Sequence, residues 1–113
     1  MNIQIFGTKK CSDTRKAQRF FNERRIRFHF VDLSQKEMSK GELRSVAARV
    51  PLAEMIDTNS TRFLEKGLVH ASLNPAYIER LLLQDSLLMR TPIVRNGKEA
   101  TVGHSPLVWQ NWS

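Results

Sequence analysis

The reading of this chain turns on Asn2-Ile3-Gln4-Ile5-Phe6-Gly7-Thr8-Lys9-Lys10-Cys11-Ser12-Asp13-Thr14-Arg15-Lys16-Ala17-Gln18-Arg19-Phe20-Phe21-Asn22-Glu23-Arg24, continued by Arg25-Ile26-Arg27-Phe28-His29-Phe30-Val31. Asn2 to Phe6 alternates polar and apolar residues, with Ile3 and Ile5 on one face, so it predicts a strand that Gly7 ends. Ala17, Phe20 and Phe21 stand at i, i+3 and i+4. They form the buried stripe of a helix from about Ser12 to Arg24, with Arg15, Lys16, Arg19 and Asn22 largely on the other side. Arg27 to Val31 reads as a second strand, Phe28 and Phe30 sharing a face. A helical crossover of this length favours parallel strands.

Outward from this unit, 34–40 is a polar connection. Ser39 and Glu42 are spaced as a capping box, and Leu43, Val46, Ala47 and Val50 give the helix behind it, ended by Pro51. Residues 52–72 carry a weaker pattern. Asp57 to Ser60 offers caps for a short helix through Arg62, Phe63 and Leu64, and Gly67 can stop it. Asn74-Pro75 starts a helix with Ile78, Leu81 and Leu82 as its stripe. Pro92 to Arg95 and Lys98 to Val102 predict a hairpin around Asn96-Gly97, the favoured type I′ pair. Ser105-Pro106 opens a last short helix, with Leu107, Val108 and Trp112 available for packing. The expected fold class is α/β. The order β-α-β, helical insertion over 34–85, β-hairpin and C-terminal helix is that of a thioredoxin-like fold, with a mixed central sheet in a single domain of residues 1–113.

The chain has 113 residues, 41% of them hydrophobic and 26% charged, which suits one folded domain and argues against disorder. No apolar run is long enough to span a membrane, and the first residues do not form a signal peptide, so a cytoplasmic location is expected. The formal net charge is +7. Lys9, Lys10, Arg15, Lys16, Arg19, Arg24, Arg25 and Arg27 crowd one stretch. That stretch is either a solvated helix face or a surface for an anion: nucleic acid, an acidic protein or a small oxyanion. No recognition-helix motif accompanies it, so direct nucleic-acid binding is not expected.

Cys11 is the chain's one cysteine. It follows a strand and a short loop and stands at the start of a helix, where free N–H groups and the helix dipole favour a thiolate. Arg15, one turn on, and Lys9 and Lys10 before it push the same way. The alternative is an inert buried thiol, but Cys11 has Lys10 and Ser12 beside it instead of an apolar stripe. Without a Cys-x-x-Cys, any redox turnover needs an outside thiol. Thr91-Pro92 gains meaning from this cysteine. A cis-proline loop facing Cys11 would leave a backbone edge free for an extended thiol substrate, with Arg90 beside it to hold an anion. His104 is a candidate for the same pocket. The scattered His29, His70 and His104 form no metal-ligand pattern, and no bound cofactor is expected. No phosphate loop or serine-nucleophile motif is present.

Cys11-Ser12-Asp13-Thr14-Arg15-Lys16-Ala17 resembles the Cys-x-x-x-Arg signature of the arsenate reductase and Spx-like family. Leu88-Met89-Arg90-Thr91-Pro92-Ile93-Val94 resembles its proline segment, and Asn96-Gly97-Lys98 with Val102-Gly103 resembles its closing hairpin. The resemblance implies a thioredoxin-like fold and a thiol-dependent oxidoreductase. Cys11 would be the nucleophile and Arg15 would help to stabilise its thiolate. Ser12, Arg90, Thr91, Pro92 and His104 would face the substrate, a small oxyanion or a thiol. Glutathione would be the co-substrate and glutaredoxin a partner. The Spx-like branch implies the alternative, a redox-sensing regulator that binds the RNA polymerase alpha subunit without turnover. The chain departs from the reductase pattern at four places. Thr91 intervenes between Arg90 and Pro92, Asp57 and His104 stand at arginine positions, and Gly7 stands where the reductases keep a histidine.

Overall fold

The computed structural model describes residues 1–112. Strand β1 (Ile3–Gly7) leads into helix α1 (Ser12–Glu23) and strand β2 (Phe28–Asp32). Four helices follow: α2 (Lys40–Ala47), α3 (Leu52–Met55), α4 (Thr61–Glu65) and α5 (Pro75–Gln84), then a 3-10 turn at Ser86–Leu88. Strands β3 (Ile93–Asn96) and β4 (Glu99–Val102) form the hairpin, and α6 (Pro106–Trp109) closes the chain. The sheet has four strands in the order β2-β1-β3-β4. β1 and β2 are parallel, and β1–β3 and β3–β4 are antiparallel, which makes it the expected mixed sheet.

Alternation along β1 splits the core in two. Ile3 and Ile5 face α1 and α6, packing with Ala17, Phe21, Val94 and Trp109. Phe6 faces the other way, onto Val31, Ile93 and the inserted helices through Leu43, Met55 and Ile78. Helices thus cover both faces of the sheet.

Local chemistry explains the ends of the elements. α1 stops because Arg25 enters the left-handed region at φ +56, so that Ile26 N–H reaches the Phe21 carbonyl at 2.9 Å and Arg25 N–H the Asn22 carbonyl at 3.0 Å. The Ser39/Glu42 capping box is complete. Ser60 caps α4 and Asn74 caps α5, and Gly67, at φ +70, follows the end of α4.

Four local expectations are corrected. Gly7 is the last residue of β1, paired with Asp32, and does not lie outside the strand. α2 already ends at Ala47 with Ala48 as its C-cap, so Val50 lies outside it, and Pro51 does not stop that helix but is the N-cap of the one-turn α3, whose single buried residue, Met55, is too little to give a periodic signal. The hairpin register pairs Asn96 with Glu99, so its two-residue turn is Gly97-Lys98, not Asn96-Gly97. Gly97, at φ +59, occupies the first central position, the type II′ preference. In α6 the buried residue is Trp109, 1% exposed, while Leu107 and Val108 are 73% and 46% exposed. Trp112 does pack against the core on that side. The Trp109 Nε1–H donates to Thr101 Oγ1 at 2.8 Å, which satisfies the polar edge of a buried indole.

Candidate functional site around Cys11

Cys11 is the N-cap of α1, with extended backbone (φ −77, ψ 118) and its amide on the Thr8 carbonyl at 3.2 Å. Its side chain is half-buried and makes no capping hydrogen bond to the helix. The sulfur is held from across the sheet. Thr91 Oγ1–H donates to Sγ at 3.1 Å, and the thiol in turn faces the Thr91 carbonyl at 3.7 Å. Thr91 precedes a cis peptide bond to Pro92. No hydrogen bond engages the Thr91 N–H among the described residues. The 55–57 strip fixes this loop: Arg90 N–H bonds the Met55 carbonyl, Asp57 N–H bonds the Leu88 carbonyl, and Ile56 bridges Met89.

Burial pushes the Cys11 thiol up, but hydrogen bonding to the ionised sulfur outweighs it. The Thr14 and Thr91 side chains and the Thr14 and Asp13 amides together hold it below its ordinary value. The two amides are those expected to face an N-cap side chain. Thr14 Oγ1 itself is buried and has no hydrogen-bond partner.

Cys11 opens onto a cleft of about 610 Å³. Its charged lining is mixed: Lys9 and Lys10 on the loop before the cysteine, Asp32 at the end of β2, and Asp57. None of these four is in an ion pair within the chain among the described residues. Ser34 pins Asp32 through its hydroxyl at 2.6 Å and its amide at 3.0 Å, which, with Lys9 nearby, holds that carboxyl below its ordinary value.

The residues singled out from sequence divide. Cys11 and Thr91 line the cleft together, and Pro92 is buried directly behind Thr91. Ser12 is exposed as the first residue of α1 and is not in the cleft wall. Arg15 is exposed and gives its N–H to the Lys9 carbonyl at 2.8 Å, so it braces the loop before Cys11 and does not contact the sulfur. Arg90 lies in a separate depression of about 300 Å³ with Val50 and Ser105, its guanidinium reaching the Glu54 carbonyl at 3.4 Å. His104 is exposed and stands edge-on to Trp109, 5.8 Å between ring centroids, away from the cleft. Two expectations are therefore corrected: Arg15 does not reach the Cys11 sulfur to stabilise its thiolate, and Ser12, Arg90 and His104 do not line the cleft to face a substrate there. Sequence reading missed Thr14, whose only signal is its place three residues after an N-cap cysteine. No group of three or more histidine, cysteine or acidic side chains is placed to hold a metal among the described residues.

A cysteine at a strand-to-helix junction, facing a threonine before a cis-proline across a mixed sheet, defines a thioredoxin-fold thiol protein. Residues 6–111 match the model of the ArsC family, and the chain belongs to that family. It is 26% identical over 109 residues to an arsenate reductase of Haemophilus influenzae, covering 94% of each chain. It is likewise 26% identical over 106 residues to the global transcriptional regulator Spx 2 of Oceanobacillus iheyensis, covering 92% of this chain and 78% of that one. Among solved structures, an ArsC-family-related protein from Bacteroides fragilis superposes with a TM-score of 0.89 at 19% identity, over 100% of this chain and 98% of that one. The arsenate reductase of Vibrio cholerae superposes with a TM-score of 0.81 at 19% identity, over 94% and 92%. No helix among the described residues is long and apolar enough to cross a membrane.

Proposed function

We propose that this protein is a glutathione-linked thiol oxidoreductase acting on a disulfide-bearing substrate, with Cys11 as nucleophile. The observation that carries the reading is Cys11 Sγ at the N-terminus of α1, bonded at 3.1 Å by the hydroxyl of Thr91, whose own amide is unpaired among the described residues. The Cys11 thiolate attacks the glutathione sulfur of a mixed disulfide, and the substrate leaves as its thiolate. A second glutathione thiolate then attacks the Cys11–glutathione disulfide, releasing oxidised glutathione and restoring Cys11. The cleft suits such a ligand, because glutathione carries an ammonium group as well as two carboxylates. Lys9 and Lys10 match the carboxylates, and Asp32 and Asp57 match the ammonium. The same carboxylates disfavour arsenate, and Arg15 and Arg90 do not converge on the sulfur to offset them. The reading calls for a reducing, cytoplasm-like compartment with a glutathione pool, and for glutaredoxin or glutathione as resolving partner. Turnover of a small disulfide with glutathione, measured for the wild type and Cys11→Ser, tests it. Activity confined to the wild type supports the reading, and equal activity of both ends it.

The likeness to Spx 2 favours one second reading, a regulator that docks on the RNA polymerase alpha subunit. Retention of this chain by the isolated alpha C-terminal domain would support it, and the absence of any retention would count against it.

A further inference from the structure

Thr14 is the third residue of α1 and is completely buried, yet its Oγ1 has no hydrogen-bond partner. A buried hydroxyl without a partner is unfavourable, and a threonine inside a helix ordinarily turns its hydroxyl back onto a carbonyl of the preceding turn. Here it does not. The strand in front leaves room for this arrangement: a Cβ on Gly7 would lie 2.3 Å from Thr14 Oγ1 and 2.6 Å from its Cγ2. A glycine therefore ends β1 where Thr14 fills the space that any side chain would need. Three residues earlier stands Cys11, the N-cap, which makes no capping hydrogen bond. In N-cap geometry the side chain of the cap and the residue three on are neighbours, and a neutral thiol is a poor acceptor there. A thiolate is a strong one. The unmade cap bond and the unmade hydroxyl bond are thus on two neighbouring groups, and ionisation of one sulfur supplies the acceptor that both lack.

We propose that the Thr14 hydroxyl is held unpaired in the neutral protein so that it donates to the Cys11 thiolate, making Thr14 a second hydroxyl donor opposite Thr91. On ionisation the thiol proton leaves to solvent, the Thr14 O–H turns onto Sγ, and the negative sulfur gains donors on two sides. The inference concerns the thiol itself and applies whichever substrate Cys11 attacks. It rests on Cys11 being the nucleophile of the proposed function, and not on glutathione.

The test is the pH dependence of Cys11 alkylation by iodoacetamide, followed in parallel by ultraviolet thiolate absorbance, for the wild type, Thr14→Val and Thr14→Ser. Thr14→Val keeps the shape and removes the donor, so its midpoint should rise by about one to two pH units, the worth of one hydrogen bond to a charged group. Thr14→Ser keeps the donor and should titrate within about half a unit of the wild type. At acid pH, where the thiol is neutral, Thr14→Val should melt no lower than the wild type, because it loses only an unsatisfied hydroxyl. A Thr14→Val midpoint equal to the wild type overturns the proposal. So does a Thr14→Ser midpoint raised as far as that of Thr14→Val, which would assign the effect to packing by the methyl group. Should Thr14→Val not fold, the serine variant and Thr14→Ala read the same contrast. Loss of glutathione turnover with these midpoints as expected would sink the proposed function and leave the Thr14 assignment standing.

Discussion

Gly7→Ala is a sharp perturbation, because the three atoms nearest the new Cβ all belong to one neighbour. The new Cβ would meet three atoms of the same side chain: Thr14 Oγ1 at 2.3 Å, Cγ2 at 2.6 Å and Cβ at 3.0 Å. Thr14 is β-branched, completely buried and built into the first turn of α1, so rotation about χ1 exchanges one clash for another. Either β1 or α1 must shift, and overpacking of this kind costs about 1–3 kcal/mol. Gly7 lies in ordinary extended backbone, so alanine also stiffens the unfolded chain, which returns about 0.4–1 kcal/mol. The net loss should be about 1–2 kcal/mol, read from urea midpoints at constant slope. The partner is identified by a double-mutant cycle. Thr14→Ala removes Oγ1 and Cγ2, the two atoms in closest conflict, so Gly7→Ala in that background should be neutral within about 0.5 kcal/mol. A Gly7→Ala protein as stable as the wild type would refute the packing argument. A full loss that persists in the Thr14→Ala background would refute the identity of the neighbour.

Thr91→Val should raise the Cys11 alkylation midpoint by about one pH unit, since it deletes the 3.1 Å hydroxyl bond to the sulfur and keeps the side-chain shape. An unchanged midpoint would mean that this hydroxyl does not act on the thiolate. Arg15→Ala should leave that midpoint within about half a unit, because the exposed guanidinium is engaged by the Lys9 carbonyl at 2.8 Å. A large rise would restore Arg15 as a thiolate partner. At Asp85, burial pushes the carboxyl up, but the hydrogen bonds and charges of Arg62 and Lys66 outweigh it and hold the carboxyl below its ordinary value. A depressed carboxyl stabilises the fold above the ordinary carboxylate range, near pH 4, and loses that contribution as pH falls through its folded value. Asp85→Asn should therefore cost about 1 kcal/mol at neutral pH, the small figure reflecting partly exposed partners, and should flatten the acid limb of the stability–pH curve. An acid limb identical to that of the wild type would remove Asp85 from the account.

The β-α-β unit was legible because its signals agree at every level. Ile3 and Ile5 alternate, Ala17 and Phe21 keep helical spacing, and all four are buried in one cluster against β3 and α6. Caps were equally readable at Ser39 and Asn74, while for α4 the sequence offered all of Asp57 to Ser60 and the structure uses Ser60. The misses cluster where an element is one turn long or where register decides. α3 and α6 each span four residues, too few for periodicity to choose between Leu107, Val108 and Trp109. The hairpin turn moved by one residue because strand pairing with β1, which joins Asn96 to Ile3, sets where β3 ends, and turn chemistry then has to accept Gly97-Lys98.

The site was legible only along its backbone. A cysteine at a strand-to-helix junction and a proline before a strand both mark positions fixed by the fold, and β1 lies beside β3, which brings them together. The direction of a long side chain is not fixed in that way. Arg15, Arg90 and His104 are close in sequence to Cys11, to Pro92 and to the hairpin, yet a guanidinium reaches several ångströms and takes the nearest free carbonyl, here those of Lys9 and Glu54. Short side chains anchored near the backbone have no such freedom. Thr14 and Thr91 are placed in that way: Thr91 donates to the Cys11 sulfur at 3.1 Å, and both hydroxyls favour its ionised form, as Arg15 was expected to do. That exchange has a consequence for substrate choice. A thiolate supported by hydroxyls and helix amides does not depend on arginines converging on the sulfur, so the cleft can carry carboxylates at Asp32 and Asp57 beside Lys9 and Lys10. A site that held its thiolate with arginines would favour an oxyanion by the same charges; under the proposed function, activation of the sulfur and selection of the ligand would fall to different residues here.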